Sequence, residues 1–118
     1  MAAPLREPTF LLLTALASGR LHGYGMITEV GRISAGRVTM RAGTLYGALD
    51  RLVAEGLVSP DGGEVVDGRL RRYYVLTPQG TELLREEAGR MAAQAAEASR
   101  RLAAFGSPGR NRAAGSPA

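Results

Sequence analysis

The stretch Arg41-Ala-Gly-Thr-Leu-Tyr-Gly-Ala-Leu-Asp-Arg-Leu-Val-Ala-Glu-Gly-Leu-Val58 sets the reading of the whole chain. Leu45, Leu49, Leu52 and Val53 recur at the spacing that puts one apolar stripe along a helix. The opposite side carries Thr44, Gly47, Asp50, Arg51 and Ala54, small or polar groups with nothing bulky to hold a surface off. Gly56 suits the left-handed position after a helix end, and Leu57 stands where a Schellman motif takes its hydrophobic contact. The spacing therefore predicts a helix over about Ala42–Glu55, buried on one side and slim on the other. An ordinary amphipathic core helix would share the apolar stripe, so the flanking segments decide between the two.

Upstream, Pro8 to Gly19 reads as an apolar helix with proline at its start and glycine at its end. It is apolar on most faces, which predicts deep burial, in part against a second subunit. Arg20-Leu-His-Gly-Tyr-Gly25 reads as a turn, and a second helix follows from about Gly23 to Ser34. Its inner stripe is Met26, Ile27, Val30 and Ile33, and Gly36 closes it. Arg37 to Met40 is a brief strand or an extended link.

Downstream, Leu57 to Asp61 and Arg71 to Thr77 are two β-prone runs. Asp61-Gly-Gly63 and Asp67-Gly68 lie between them as turn signals, and the second places the hairpin tip at Asp67–Leu70. Three helices and a hairpin, the third helix slim-faced, are the order of a winged helix-turn-helix. Thr77 and Pro78 then open a last helix as N-cap and first residue. Along it Leu84, Ala88, Met91, Ala95, Ala98, Leu102 and Phe105 alternate four and three residues apart. Such a heptad seam has no match within so small a chain, which predicts pairing of two copies through this helix. The expected fold class is mainly α with a small β-hairpin, a winged helix-turn-helix plus a long C-terminal dimerisation helix. Its expected parts are a lead-in at 1–7, the winged domain at 8–77, the helix at 78–105 and a disordered tail at 106–118.

Bulk composition narrows the function. With 118 residues and no cysteine, there is no disulfide framework or thiolate metal site. Phe10 to Leu13 is too short an apolar run for a membrane span or an export signal, so a soluble, cytoplasmic protein is expected. One histidine, no cysteine and scattered acids leave no nucleophile–base pair, so no catalytic site, metal or cofactor is expected. His22, in the turn between helices, reads as structural or hydrogen-bonding. Net charge is +4, and all fifteen basic residues are arginine. GC-rich coding sequence yields an arginine excess too, so its placement carries the information. In residues 1–77 nine arginines against seven acids leave a net charge of only +2. Arg69, Arg71 and Arg72 nonetheless cluster on the hairpin, while Arg41 and Arg51 lie at the start and on the open face of the third helix and Arg37 just before it. A wing of this kind would straddle phosphates while the helix face reached base edges.

Taken together these residues resemble the PadR family of transcriptional regulators, over about Phe10 to Leu84. The resemblance rests on three motifs in order. They are Leu21-His-Gly-Tyr-Gly25; Gly43-Thr-Leu-Tyr46 with Leu49, Arg51-Leu52 and Glu55-Gly-Leu57; and Gly68-Arg69, Arg71-Arg-Tyr-Tyr74 and Leu76-Thr-Pro-Gln-Gly80. It implies a homodimeric DNA-binding repressor on a roughly palindromic operator, often relieved by a small molecule. The implied DNA-facing residues are Arg41, Gly43, Thr44, Tyr46 and Arg51, with Arg69 and Arg71 on the wing. Tyr24 and Tyr74 would pack near the junction of helix and hairpin. Two positions depart from the family pattern: Leu70 stands where proline is usual, and Met40-Arg41 where Ser or Thr commonly caps. The chain also has no Trp, which argues against trapping flat aromatic drugs between tryptophans, although Met91 and Phe105 could line an apolar effector pocket. The competing reading is a winged helix that docks a protein partner. Asp50 on the open face and the weak net charge favour it.

Overall fold

The computed structural model describes residues 5–106. The chain forms two compact units, one up to Arg85 and one from Glu86 onward. In the first unit the order is α1 (Glu7–Leu16), β1 (Leu21–His22), α2 (Gly23–Ile33), α3 (Ala42–Ala54), β2 (Val58–Val66) and β3 (Arg69–Leu76), and then the opening of α4 (Pro78–Phe105). The strands form one antiparallel sheet in the order β1-β3-β2. This is the expected mainly α fold with a β-hairpin wing and a long C-terminal helix.

α1 is buried nearly all round: Leu11, Leu12, Leu13, Ala15 and Leu16 all lie inside the single chain. These leucines therefore need no second subunit to cover them. They pack with Met26 and Val30 of α2, Leu45, Leu49 and Leu52 of α3, and Leu57, Val58 and Tyr74. On α3 the inner stripe gains Ala48, while Val53 is only half-buried. On α2 the expected stripe holds at Met26 and Val30, but Ile33 is 36% exposed because the helix ends there.

The end of α3 follows the Schellman pattern. The Leu57 amide donates to the Leu52 carbonyl (2.9 Å), the Gly56 amide to that of Val53 (3.0 Å), and Gly56 takes φ +80°. The Thr77 hydroxyl then ties two elements together. It accepts from the Gly80 amide at 2.9 Å, capping α4 as expected, and donates to the Gly56 carbonyl at 2.6 Å. Gly80 itself lies hard against the backbone of Leu57. A β-carbon there would overlap the Leu57 carbonyl oxygen and stand 2.9 Å from its carbonyl carbon. Backbone cannot swing aside as a side chain can. Gly80→Ala is therefore expected to destabilise the protein by about 3 kcal/mol. A denaturant midpoint within error of wild type would show that this approach is not tight.

Two expectations about the sheet change. Leu21 and His22, read as turn, form a strand pairing with Tyr74 and Tyr73; two residues are too few to leave a periodic signature. Asp61-Gly-Gly63, read as a turn, lies inside β2. Asp61 and Gly62 face the single residue Tyr73, a bulge with Gly62 at φ +76°. The strand continues past it, so the wing is a ribbon four pairs longer than the two β-prone runs suggested. At its tip Asp67 (φ 52°) and Gly68 (φ 78°) make the left-handed pair of a type I′ turn. Residues 37–40 form a link that bends at Arg37 and Val38 rather than a strand. α1 begins at Glu7, one residue before the expected start.

In the second unit α4 continues as a helix to Phe105. Arg90 bonds Glu87 at 2.6 Å, and Arg100 and Arg101 both engage Glu97, Arg101 at 2.6 Å. Pairs at this spacing add a few tenths of a kcal/mol each, roughly 0.2–0.5. Ala88, Ala95 and Ala98 are exposed, as are Met91 (45%), Leu102 (63%) and Phe105 (58%), so an apolar strip lies open along this unit. The expected tail at 106–118 lies outside the described residues beyond Gly106. Among the described residues no helix is long and apolar enough to cross a membrane.

Candidate nucleic-acid interface

Between α3, the start of α2 and the wing lies a cleft of about 740 Å³, lined by Gly23, Tyr24, Tyr46, Arg69, Leu70, Arg71 and Arg72 among others. Its inner corner is built from the Leu21-His-Gly-Tyr-Gly25 motif. His22 caps α2, its Nδ1 accepting from the Gly25 amide at 3.2 Å. Its ring meets Tyr73 edge-on at 5.5 Å, and Arg20 stacks on the same tyrosine at 3.9 Å. The Tyr73 hydroxyl donates to Glu64 at 2.8 Å, and Arg20 reaches Asp61 at 3.7 Å. Tyr73 thus fixes the bulged base of the wing to β1 and α2. Gly23 leaves room for the Tyr46 hydroxyl; a β-carbon there would overlap it and stand 2.9 Å from the ring carbon bearing it.

Charge on this unit is sorted by pairing. Arg20 pairs with Asp61, Arg32 with Glu29 and Arg37 with Glu7. The two-pronged Arg32 bond holds the Glu29 carboxyl below the usual carboxylate range. Arg37, expected beside the third helix as part of the basic face, is therefore neutralised on α1. By contrast Arg41, Arg51, Arg69, Arg71 and Arg72 have no ion pair among the described residues. Five of the six arginines of this unit that have no ion pair among the described residues lie on α3 and the wing, alongside the unpaired acids Asp50, Glu55, Glu64 and Asp67; the sixth is Arg6.

The sequence-predicted residues divide into two groups. Tyr46, Arg69 and Arg71 meet at the cleft, on the flank of α3 turned toward α2. Gly43 lies on the open ridge of α3, with Thr44 and Arg51 on its far flank and Arg41 at its N-cap, outside the cleft but exposed. Arg41 makes no side-chain cap, as its residue type implies. Strand alternation puts Arg69 and Arg71 on one face of the wing, across from Val66 and Glu64, and Arg72 on the other with Leu70. Leu70 and its cross-strand partner Val65 are 60% and 70% exposed. Tyr74 packs in the core as expected, but Tyr24 does not pack at all. It is 76% exposed at the mouth of the cleft, because it stands at the second position of α2, turned away from Met26 and Val30. Tyr24 and Arg72 are among the cleft residues that sequence reasoning left out of the site.

Gly43 and Gly47 add an independent sign. Nothing lies within 4 Å of where their β-carbons would stand, so no contact inside the chain requires glycine there. A glycine within a helix costs about 1 kcal/mol relative to alanine. Both lie on the exposed ridge of α3, where a bare backbone lets an external surface come close.

Comparisons with known proteins bear on the family and the fold. The profile described as the transcriptional regulator PadR-like family matches residues 12–86. The chain is 38% identical over 76 residues to a transcriptional regulator of Mycobacterium tuberculosis, covering 64% of this chain and 67% of that protein. It is 44% identical over 86 residues to an uncharacterised 37.1 kDa protein in transposon TN4556 of Streptomyces fradiae. That match takes 73% of this chain and 23% of the relative, so the chain spans about a quarter of the transposon protein's length. Among solved structures, a PadR-like regulator from Bacillus cereus superposes with a TM-score of 0.65 at 22% identity, over 80% of this chain and 89% of that one. Bacillus subtilis PadR in complex with operator DNA superposes at 0.60 and 21% identity, over 69% of this chain and 46% of that one. At such identities the likeness establishes the fold.

Proposed function

The chain belongs to the PadR-like family of transcriptional regulators, and from that premise we propose that it is a homodimeric repressor that reads a palindromic DNA operator. The observation that carries this reading is the gathering of unpaired arginines on α3 and the wing, around a helix ridge left bare by Gly43 and Gly47. In this reading Arg41, Gly43, Thr44, Tyr46 and Arg51 approach the major groove, and Thr44 and Arg51 discriminate bases. Arg69 and Arg71 bind phosphate and set the register. The seam of Leu84, Ala88, Met91, Ala95, Ala98, Leu102 and Phe105 joins two copies, so that their third helices enter successive major grooves about 34 Å apart. Relief by a small apolar or aromatic effector belongs to the same proposal, with Met91 and Phe105 as its wall.

The test is a binding titration against the protein's own upstream promoter DNA and a scrambled duplex, at two salt concentrations. The reading expects tighter, salt-sensitive binding to the promoter. Equal weak binding to both duplexes would overturn sequence reading. The open face with Asp50 would then be the docking surface of a protein partner.

A further inference from the structure

Phosphate contact by Arg69 and Arg71 leaves the other face of the wing unused. That face carries the cross-strand pair Val65–Leu70, with Gly63 and Arg72 as the next pair on the same side. The pair stands one rung below Val66–Arg69 and the Asp67-Gly68 turn, near the tip of the ribbon. Both side chains are large, apolar and exposed. Neither packs against the hydrophobic core, which ends at the base of the wing with Val58, Tyr74 and Leu76. A cross-strand pair helps to hold a hairpin in register, but threonines would do that without presenting bare hydrocarbon to water. Leu70 lies over Gly63, where an added β-carbon would stand 3.4 Å from its Cδ1, and its outer side stays uncovered.

The surroundings of the pair point to its occupant. Arg69 and Arg71 flank Leu70 along β3, and Arg72 shares its face. Of the acids on the ribbon, Asp61 is taken up by Arg20 and Glu64 accepts the Tyr73 hydroxyl, while Asp67 stands in the turn. Leu70 and Arg72 line the cleft together with Tyr46 of α3, so a duplex lying on α3 and the wing meets Leu70 as well. An apolar point set among arginines matches the minor groove, whose negative potential draws arginine and whose base steps yield to apolar wedges. Leu70 also stands where the family usually carries proline, and its side chain reaches farther from the strand than a proline ring. We infer that Leu70, backed by Val65, is a wedge that enters the minor groove beside each half-site and loosens one base step there. The operator is then selected in part by how easily that step opens, with pyrimidine–purine steps favoured. This rests on the DNA reading proposed above and adds a second source of specificity to it.

The promoter segment protected by the wild-type protein would carry 2-aminopurine, an adenine analogue that brightens when unstacked, at adenines flanking each half-site. Fluorescence is expected to rise on binding of the wild type, and the rise to vanish with Leu70→Thr, which keeps a strand-forming residue in place. The same variant should bind the promoter about tenfold more weakly, through lost apolar contact. Its salt dependence should not change, because no charge is removed. Leu70→Phe, apolar and longer, should keep the signal. Replacing the flanking step with a stiff A-tract should weaken the wild type and leave Leu70→Thr unaffected. No fluorescence rise at saturation would overturn the wedge. Wild-type affinity in Leu70→Thr would also overturn it, and leave the pair as a surface for a protein partner. Lower thermal stability of Leu70→Thr with equal losses on promoter and scrambled duplex would reduce the pair to a hairpin clasp and overturn it as well. A wild type that prefers neither duplex removes the operator reading itself, whereas tight promoter binding without the rise removes only the wedge.

Discussion

Arg69→Ala with Arg71→Ala is expected to weaken binding to promoter and scrambled duplex alike, by about one to two orders of magnitude near 0.1 M salt. Both side chains lie on one face of the wing, at the cleft, and neither has an ion pair among the described residues. Their charge is thus available to displace counterions from phosphate. Each lost phosphate contact removes about 0.9 from the slope of log K against log salt, so the double variant should bind with a slope shallower by about 2. Specificity should survive, because phosphate contacts carry no sequence information. Thr44 or Arg51 variants should behave oppositely, changing which duplex is preferred while leaving the slope nearer wild type. Titrations across a salt series measure both quantities. A double variant with unchanged slope would remove the wing from the interface.

Met91→Glu is the second large effect. Met91 lies near the middle of the seam and is 45% exposed in the single chain, so the protomer should fold with the substitution. In the dimer, two carboxylates would enter an apolar seam without partners, a burial that costs several kcal/mol per ion, of order 3–5. The expected result is a folded monomer by light scattering. Affinity for a two-half-site operator should fall by about 10²–10⁴, since the second half-site is no longer delivered at high effective concentration. Binding to an isolated half-site should stay near wild type. A persisting dimer would place the interface elsewhere than this seam.

These outcomes depend on features that became legible at different levels. The apolar stripe of α3, its Gly56-Leu57 end and the Thr77-Pro78 start of α4 could be read from residue order because each obeys a local rule. Helix period, left-handed glycine and hydroxyl cap all act within a few residues. The same holds for the Asp67-Gly68 tip, whose two left-handed positions suit those residues. Short or context-dependent features were not legible. β1 is two residues long, and the Asp61-Gly62 bulge uses the same residue types as a turn. Only pairing with β3 distinguishes them.

For the candidate site, the sequence proposed side chains, and the tertiary structure decided their neighbours. Arg37 and Arg41 are alike as letters near α3, yet Arg37 pairs with Glu7, thirty residues away, and Arg41 has no ion pair among the described residues. Tyr24 and Tyr74 both looked like packing residues, but one faces solvent and the other the core. Gly80 looked like a neutral member of a helix start, yet it is fixed by the Leu57 backbone from across a hairpin. The sequence alone determined the family, the order of the helices and the hairpin, and the apolar row along α4, since these are written in periodicity and local motifs. Which charges stay uncompensated, which tyrosine is exposed and which glycine cannot change were decided by contacts between residues far apart in the chain, and only the folded structure brings those together.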